Sequence, residues 1–449
     1  MMQTGFDAVV IGAGVAGSSA AILLARAGWS VALIEKQRFP RRKVCGECIA
    51  ASNLPLLEAL GIGTQLESLA GPELRHVALM RGDREVHAEL PAAKQTRHRW
   101  GRALGRESLD TLLLEQARRA GAHVMQPWSV QAIRGEPGDW RCDLRALDPT
   151  GAQAGLASPT AMLTLRCAVV VDAHGSWEAL PSGRARQKRA RKPADLYAFK
   201  ANFTDASLPP GLLPVLALDG GYGGMVLAGG ETTVVACCIR SDRLDQLRRA
   251  AAGVRAGEVV EAWLRRECGG VHSALSGATR DGPWLASGPI APGIRLRADD
   301  RIFRIGNAAG EAHPILGEGM SMALQSAGLL CAQLIAGGRP LHTASEVVQA
   351  EMARRYAMQW HQQFEPRLRL AATFAHLAMR PSTGALLMGL VTRWPGLLTQ
   401  GARWGGKVRC AADPATFRAP MPVAVTGPAA DGAGAMASRA FQGTEATSP

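Results

Sequence analysis

Three side chains in this sequence have the chemistry and the setting to move protons or electrons. His313 stands between a glycine turn and a proline, where its imidazole could donate a hydrogen bond or protonate a product. Cys45 carries a thiol within a glycine-containing loop, and Tyr222 lies among four glycines that would let a substrate approach closely. Packing roles for His313 and Cys45 are equally consistent with the sequence. We treat all three as candidate catalytic residues.

These side chains need a rigid scaffold, and the N-terminal segment supplies one. An apolar strand runs into Gly12-Ala-Gly14-Val-Ala-Gly17 and an alanine-rich helix, and a second apolar run ends at Glu35. In a dinucleotide-binding unit the first glycine makes the tight turn, the second lets the backbone approach a pyrophosphate, and the third lets the helix pack on the strand. The helix N-terminus attracts phosphate, and Glu35 is placed to accept hydrogen bonds from a ribose. This unit alone fits either FAD or NAD.

Two later segments also run from a strand into a glycine turn. One is Asp172–Gly175, and the other runs from Gly306–Gly310 into a helix start at Pro314–Met320. Together with the N-terminal glycines, and in this order, they resemble the three nucleotide-contacting segments of the para-hydroxybenzoate-hydroxylase-like FAD superfamily. That superfamily includes aromatic hydroxylases, flavin-dependent halogenases and geranylgeranyl reductases. The resemblance covers residues 5–345 and implies FAD as the cofactor.

The resemblance also implies which residues contact FAD. The N-terminal glycines and Glu35 would hold the ADP half, and Arg106, just before a middle helix, would lie along the cofactor. Pro314–Met320 would lie against the isoalloxazine ring, with backbone N–H groups placed to stabilise negative charge on the reduced flavin. The expected cofactor-binding residues are Gly12, Gly14, Gly17, Glu35, Lys36, Cys45, Gly46, Arg106, Asp172, Gly175, Asn307, Gly310, Pro314, Gly317, Gly319 and Met320.

Two local patterns refine the resemblance. Gly306-Asn307 stands where the superfamily usually has Gly-Asp; the amide can still hydrogen-bond a ribityl hydroxyl, but a negative charge near the pyrophosphate is lost. The loop Lys43-Val-Cys45-Gly46-Glu47 resembles the Lys-x-Cys-Gly loop of the geranylgeranyl-reductase-like branch. The Trp-x-Trp-x-Ile-Pro motif of flavin halogenases is absent from the sequence. Halogenation is therefore disfavoured.

The composition of the chain indicates which other ligands and partners are expected. The chain has 449 residues and a formal net charge of +13, which suits anionic cofactors and acidic lipid. It contains no zinc-ligand spacing and no helix-turn-helix pattern, so we expect no metal site and no nucleic-acid binding. The nine scattered cysteines form no disulfide framework, and no signal-type segment precedes the first strand. We expect a cytoplasmic protein, with weak peripheral membrane contact around Trp394 as an option.

The order of these segments predicts an α/β fold with interleaved domains. A Rossmann-like three-layer FAD-binding domain would share the chain with a β-rich substrate domain, followed by a C-terminal helical segment cut at Pro381 and Pro395. A helix is expected at about 243–267. The expected boundaries are 1–75, 101–182 and 291–345 for the FAD-binding domain, 76–100 and 183–290 for the substrate domain, 346–415 for the C-terminal helices and 416–449 for a disordered tail.

The reaction expected first is FAD-dependent hydroxylation of an apolar, aromatic or polyketide-like substrate by O₂. NAD(P)H would be a transient reductant, because the chain has only one dinucleotide fingerprint. One alternative, suggested by the Cys45 loop, is a reductase or dehydrogenase of an isoprenoid or polyene chain. A further alternative is a flavin-binding protein without turnover. Anaerobic turnover separates the first two, since only the reductase would work without O₂.

Overall fold

The computed structural model describes residues 3–94, 97–147, 161–176, 180, 191–338, 346–408, 410, 412 and 417. The expected disordered tail therefore lies outside the described residues, apart from Phe417. The strands are β1 Gly5–Ile11, β2 Val31–Ile34, β3 Cys48–Ile49, β4 His76–Arg81, β5 Arg84–Glu89, β6 Arg102–Ala103, β7 His123–Met125, β8 Trp128–Glu136, β9 Asp139–Ala146, β10 Met162–Asp172, β11 Leu196–Thr204, β12 Leu212–Leu218, β13 Gly221–Leu227, β14 Thr233–Arg240, β15 Thr279–Ile290, β16 Gly293–Ile294, β17 Phe303–Arg304 and β18 Gly310–Glu311. The helices are α1 Val15–Arg26, α2 Leu54–Ala59, α3 Gly63–Leu69, α4 Arg106–Arg119, α5 Ser241–Ala250, α6 Ala256–Glu267, α7 Gly269–Leu275, α8 Gly319–Ala336, α9 Glu346–Ala378, α10 Pro381–Arg393 and α11 Gly396–Trp404.

The first sheet shows why the N-terminal strand is apolar on both faces. Its order is β7-β2-β1-β10-β9-β8, with β17 beside the end of β10. Strands β7, β2, β1, β10 and β17 run parallel, whereas β9 and β8 pair antiparallel. Helices α1, α4 and α8 cover one face, and apolar side chains of β8 and β9 pack on the other. Ala8, Val9 and Val10 are consequently fully buried, as in other parallel sheets. The expected α/β fold class is confirmed.

The second sheet has the order β15-β11-β14-β13-β12-β4-β5 and is antiparallel except for the β12–β4 pair. Helices α5, α6 and α7 pack on one of its faces. The opposite face carries Ala198, Tyr222 and Cys238, which pack against Ala375 and Met379 at the end of α9. Because β4 and β5 come early in the sequence, the chain passes from the first sheet to the second and back twice.

The C-terminal segment is helical and closes the molecule. Tyr356, Trp360 and Phe364 of α9 are buried at i, i+4 and i+8, so this aromatic stripe belongs to the core beside α8. Pro381 is the first residue of α10, and Pro395 caps α11, so both prolines end the preceding helix as expected.

The single helix expected at about 243–267 is two helices, α5 and α6, because the chain turns at Ala251–Arg255 with Gly253 at φ +83°.

Helix α8 is long and apolar enough to cross a membrane, with a mean hydropathy of 1.3, but 61% of it is buried inside the structure. It packs against α1 and α9, which is typical of a core helix.

Candidate active site

Two adjacent cavities lie between the first sheet and the second. The nucleotide cavity, of about 340 Å³, is bordered by the ends of β1 and β2. The reaction cavity, of about 260 Å³, lies between the N-terminus of α1, the N-terminus of α8 and strands β11 to β14. Lys43 and Val44 line both cavities, so the loop that contains them lies where the cavities meet.

The glycine turn after β1 opens onto both cavities. Gly12 has φ +102°, and a Cβ there would lie 2.7 Å from the carbonyl oxygen of Ala173. A Cβ on Gly17 would lie 1.8 Å from the carbonyl oxygen of Gly12, so this glycine permits helix packing. At Gly14 the nearest protein atom to a Cβ is a guanidinium nitrogen of Arg106 at 3.6 Å. Gly14 therefore leaves room for a ligand and not for another part of the protein.

Paired carboxylates and arginines surround this turn. Glu35 is buried, accepts a hydrogen bond from the backbone N–H of Ala13 at 3.0 Å and lines the nucleotide cavity. Arg106 donates to both carboxylate oxygens of Asp110 at 2.8 Å, which outweighs the effect of burial and raises the pKa of the guanidinium. Arg41 approaches Asp110 and Glu35 at 3.5 and 3.8 Å. This network fixes Arg106 where it lines the reaction cavity.

A lysine at the junction of the cavities adds to the positive charge. Lys43 is half-buried, and burial lowers the pKa of its ammonium group to about 8, with Arg106 and Arg41 acting in the same direction. An anion at this junction would relieve that penalty. Lys36, the lysine expected to bind the cofactor, is exposed and lines only the nucleotide cavity. The sequence motif Lys43–Glu47 includes Lys43, but it did not predict that this lysine lies between the two cavities.

The turn before α8 forms the far wall of the reaction cavity. Pro314, Gly317, Gly319 and Met320 all line it. Gly317 has φ +64°, which lets the chain turn into the helix. The N-terminus of α8 therefore lies at this wall, where its unpaired N–H groups favour negative charge.

Asn307 is held in a chain of polar contacts at the edge of this cavity. Its side-chain amide donates to the hydroxyl of Ser176 at 2.8 Å, and that hydroxyl donates to Glu311 at 2.7 Å. Glu311 in turn accepts from Arg295 at 3.0 Å. Both Asn307 and Glu311 line the reaction cavity. A carboxylate is thus present close to the position where the superfamily usually has its aspartate.

Several expected cofactor residues lie in or beside the cavities. Cys45, Gly46 and Gly175 line the reaction cavity, with Gly175 at φ +96°. Asp172 lines neither cavity; its carboxylate is engaged by the imidazole of His174, which borders the nucleotide cavity. Gly310 lies away from both, because the indole of Trp360 packs at the place where a side chain would stand. The close approach that requires Gly310 is therefore made by the protein itself.

Tyr222 and His313, two of the candidate catalytic residues, are in contact. Tyr222 lines the reaction cavity, and its hydroxyl lies 3.4 Å from Nδ1 of His313. Burial raises the pKa of Tyr222 well above its usual range, and burial beside His376 lowers the pKa of His313 to about 4. Both groups are therefore neutral near pH 7. His313 does not line the cavity and reaches it through Tyr222.

Cys45, in the loop before β3, and Cys48, the first residue of β3, both line the reaction cavity. The sulfur of Cys45 accepts a hydrogen bond from the backbone N–H of Glu47 at 3.4 Å. Burial raises the pKa of the Cys48 thiol to about 11, which keeps it protonated. All nine cysteines of the chain are free.

A buried ion pair inside the reaction cavity was not expected from the sequence. Glu47, at φ +57°, accepts hydrogen bonds from the backbone N–H of Arg106 and from the ammonium group of Lys200 on β11. Burial raises the pKa of Glu47, and Lys200 opposes that shift. The Oε2 atom of Glu47 accepts no hydrogen bond from the residues described. This carboxylate therefore offers an unused acceptor within the cavity wall.

The C-terminal segment supplies two cations near the reaction cavity, which the sequence did not predict. Lys407 lines the reaction cavity, and its ammonium group lies 3.9 Å from Glu318 at the start of α8. Arg367 of α9 lies 3.8 Å from the same carboxylate. Burial raises the pKa of Glu318, and the two cations oppose that shift. The C-terminal helices thus supply positive charge to the wall at which α8 begins.

These features fit FAD. An elongated site, a glycine that leaves space at a helix N-terminus, and the cations Arg41, Lys43 and Arg106 together suit a dinucleotide with a charged pyrophosphate. The predominantly apolar wall of the reaction cavity, provided by strands β11 to β14, suits a flat ring system and an apolar substrate beside it.

Comparisons with known proteins agree with this geometry. The model of a family described as FAD binding domain matches residues 5–347. The chain is 27% identical to conditioned medium factor receptor 1 of Dictyostelium discoideum over 74% of its own length and 63% of that protein, so it spans less than two thirds of that relative. It is 28% identical to menaquinone reductase of Mycolicibacterium smegmatis (75% and 78% covered) and 25% identical to kynurenine 3-monooxygenase of Stenotrophomonas maltophilia (73% and 71% covered).

Solved structures share the fold at lower identity. The flavin-dependent brominase Bmp2 superimposes with a TM-score of 0.67 at 19% identity, covering 92% of this chain and 98% of that one. A geranylgeranyl bacteriochlorophyll reductase-like protein of Thermoplasma acidophilum gives a TM-score of 0.60 at 15% identity, with 90% and 100% covered. At these identities the likeness concerns the fold alone, and it spans both a halogenating enzyme and a reductase-like protein.

Proposed function

This chain belongs to the FAD binding domain family, and on that premise we propose that it is an FAD-dependent monooxygenase of an apolar, aromatic or polyketide-like substrate. The observation that carries the proposal is the reaction cavity. One wall is made of the expected flavin-binding segments at the starts of α1 and α8, and the other of apolar strands from the second sheet. A flavin ring and an apolar substrate would therefore lie in one chamber.

The volume of the reaction cavity supports the proposal that the reacting part of the substrate is compact. A volume of about 260 Å³ lies just below the range of about 300 to 1,000 Å³ that is ordinary for ligand pockets. It would have to hold the isoalloxazine ring and the part of the substrate that reacts. That leaves room for a ring system and not for a long chain enclosed along its whole length. The match to a kynurenine 3-monooxygenase supports the same reaction class.

When bound, FAD supplies the redox and oxygen chemistry of the site. The chain's own residues would bind and orient it: the N-terminus of α1 with Lys43 and Arg106 for the pyrophosphate, and Glu35 for the ribose. The N-terminus of α8, with Lys407 beside it, would stabilise negative charge at the ring. In the overall reaction a substrate C–H bond, O₂, NAD(P)H and a proton give C–OH, water and NAD(P)⁺.

The proton that this reaction requires has a route through three side chains. Tyr222 presents its neutral hydroxyl to the cavity, and Nδ1 of His313 lies 3.4 Å behind it. The ring of His313 lies 5.6 Å from that of His376, which is exposed on α9. Tyr222 would pass its hydroxyl proton to the reacting group while it takes one from the Nδ1–H of His313, and the other ring nitrogen of His313 would be reprotonated from solvent on the side of the exposed His376, so that both side chains stay neutral.

The test uses protein reconstituted with FAD, an alkylated phenol as the probe substrate, NADPH or NADH, and ¹⁸O₂. The proposal expects consumption of reduced nicotinamide that depends on the probe, and one labelled oxygen in the product. A panel of probes in which reduced nicotinamide is consumed without oxygen incorporation would contradict it.

A reductase of an isoprenoid chain is the second candidate. It is supported by the menaquinone reductase match, which covers three quarters or more of both chains, and by Cys45 in a cavity-lining loop. Under nitrogen, a polyprenyl quinone and reduced nicotinamide would then give a product with one saturated double bond. The monooxygenase would form no product under nitrogen, so the same assay separates the two candidates.

A further inference from the structure

The last two helices carry large apolar side chains that the described part of the chain leaves uncovered. Leu386 is 74% exposed and Trp404 67% exposed, and no residue of α11 is buried. We call this surface the docking face. Its members are Leu386, Leu390, Trp394, Leu397 and Trp404, together with the exposed arginines Arg380, Arg393 and Arg403.

The charge around the docking face has one sign. From residue 366 to residue 412 the sequence contains no aspartate or glutamate and seven lysines or arginines. Arg393 extends over the ring of Trp394 at 5.6 Å, so cation and indole stand together at the end of α10. The docking face itself, with Arg380, Arg393 and Arg403, contains no aspartate or glutamate.

We propose that the docking face binds the surface of an anionic lipid bilayer. Helices that lie in a bilayer interface combine leucine and tryptophan on one side with arginine and lysine at the rim, and tryptophan favours the headgroup level. Helices α10 and α11 have 13 and 9 residues, too short to cross a bilayer and suited to lie on it. Three exposed arginines, Arg380, Arg393 and Arg403, without a carboxylate among the members of the docking face favour anionic headgroups over a protein surface of mixed charge.

The opposite side of these helices forms part of the support of the reaction cavity. Met388 and Val391 of α10 are buried in a cluster with Leu79, against which Val215 and Ile315 pack. Val215 and Ile315 also line the reaction cavity. Docking would thus place the bilayer on the outer side of a cavity wall. Entry of an apolar substrate from the lipid rests on the proposed function, whereas docking itself does not.

The test measures co-sedimentation of the FAD-loaded protein with vesicles of phosphatidylcholine alone or mixed with phosphatidylglycerol. No substrate is present, so the outcome is independent of the reaction catalysed. The proposal expects binding to the mixed vesicles that weakens at high salt, and little binding to the neutral ones. Leu386→Ser with Trp394→Ser should lower the partition on the order of tenfold, and each of Arg393→Gln and Arg403→Gln by about fivefold.

The matched control is Val254→Ser with Arg249→Gln, which removes an exposed apolar side chain and an exposed arginine from another surface. It should bind vesicles as the wild type does. Retained FAD and an unchanged melting temperature establish that each variant is folded. The proposal is overturned if the folded wild type ignores anionic vesicles, or if the docking-face variants bind them as well as the control. It is also overturned if these variants only dissociate a dimer or a complex with another protein.

Discussion

Lys200, on β11 of the second sheet, donates a hydrogen bond from its buried ammonium group to Glu47, in the loop between β2 and β3. Both side chains are almost fully buried. The pair therefore ties the second sheet to the loop that carries Cys45, at the wall of the reaction cavity. A buried pair of this kind is costly to break on one side only, because the remaining charge is left without compensation.

Lys200→Met should destabilise the protein by about 3 to 5 kcal/mol, since it leaves the Glu47 carboxylate buried and uncompensated. Lys200→Met combined with Glu47→Gln should cost less than the sum of the single changes. Urea unfolding of the wild type, both single variants and the double variant measures this coupling. Additive losses would contradict the inference that the pair acts as a unit.

Gly14 and Gly17 should respond differently to an added side chain. In Gly14→Val the added Cβ would lie 3.6 Å from its nearest protein neighbour, a guanidinium nitrogen of Arg106. The apoprotein should therefore keep its melting temperature, while its Kd for FAD rises by about 100-fold. Gly17→Ala forces a methyl group against the carbonyl of Gly12 and should prevent folding. Flavin fluorescence and thermal unfolding of the apoproteins measure the two effects. If Gly14→Val bound FAD as tightly as the wild type, the inference that this turn contacts FAD would be wrong.

FAD affinity should depend on pH through Lys43. Its pKa is lowered to about 8 in the protein without an anion beside it, and a bound pyrophosphate would raise that pKa. Binding is therefore strongest below pH 8 and should weaken about tenfold between pH 7 and pH 9, as Lys43 loses its proton before binding. Calorimetric titration of the apoprotein with FAD across this pH range measures the change in affinity. In Lys43→Met the dependence should vanish; a dependence that persists there belongs to another group.

Tyr222→Phe and His313→Gln should each lower kcat by about 100-fold, with KM changed little, because they interrupt proton transfer and leave the apolar wall in place. His313, with a pKa near 4, is neutral above that pH, so wild-type turnover should be flat from pH 6 to 8 and fall as the pH approaches 4. Steady-state kinetics across pH tests this. If His313→Gln retains full turnover and the same acid limb, the proton takes another route.

The elements that the sequence predicts well are those in which neighbouring residues determine the result. The turn at Gly12–Gly17, strand β1 and the start of α8 depend on local chain geometry, and their positions follow from short patterns. The alanine-rich helix expected after the glycine turn is α1, which runs from Val15 to Arg26. The break between α5 and α6 was missed because the 3.6-residue periodicity on either side continues across it.

The contacts that the sequence did not predict join distant parts of the chain. Glu47 and Lys200 are 153 positions apart, and a buried lysine within a strand has no pattern of its own. Lys407 lies beyond the residues that match the family, yet it lines the reaction cavity. Gly310 looked like a cofactor-contacting glycine, but its need for space comes from Trp360 of α9. Such features depend on how the C-terminal helices pack, which no local motif encodes.

We propose that FAD and an apolar substrate share the reaction cavity, and the flavin absorbance spectrum during titration with a naphthol measures whether they do. The wild type should hold about one FAD per chain and show a saturable spectral change. Val215→Trp, which fills the cavity from β12, should keep its FAD and lose that change, whereas Val254→Trp, on an exposed loop, should retain it. A wild type that binds no FAD, or a Val215→Trp variant that responds to the naphthol like the wild type, would contradict the claim.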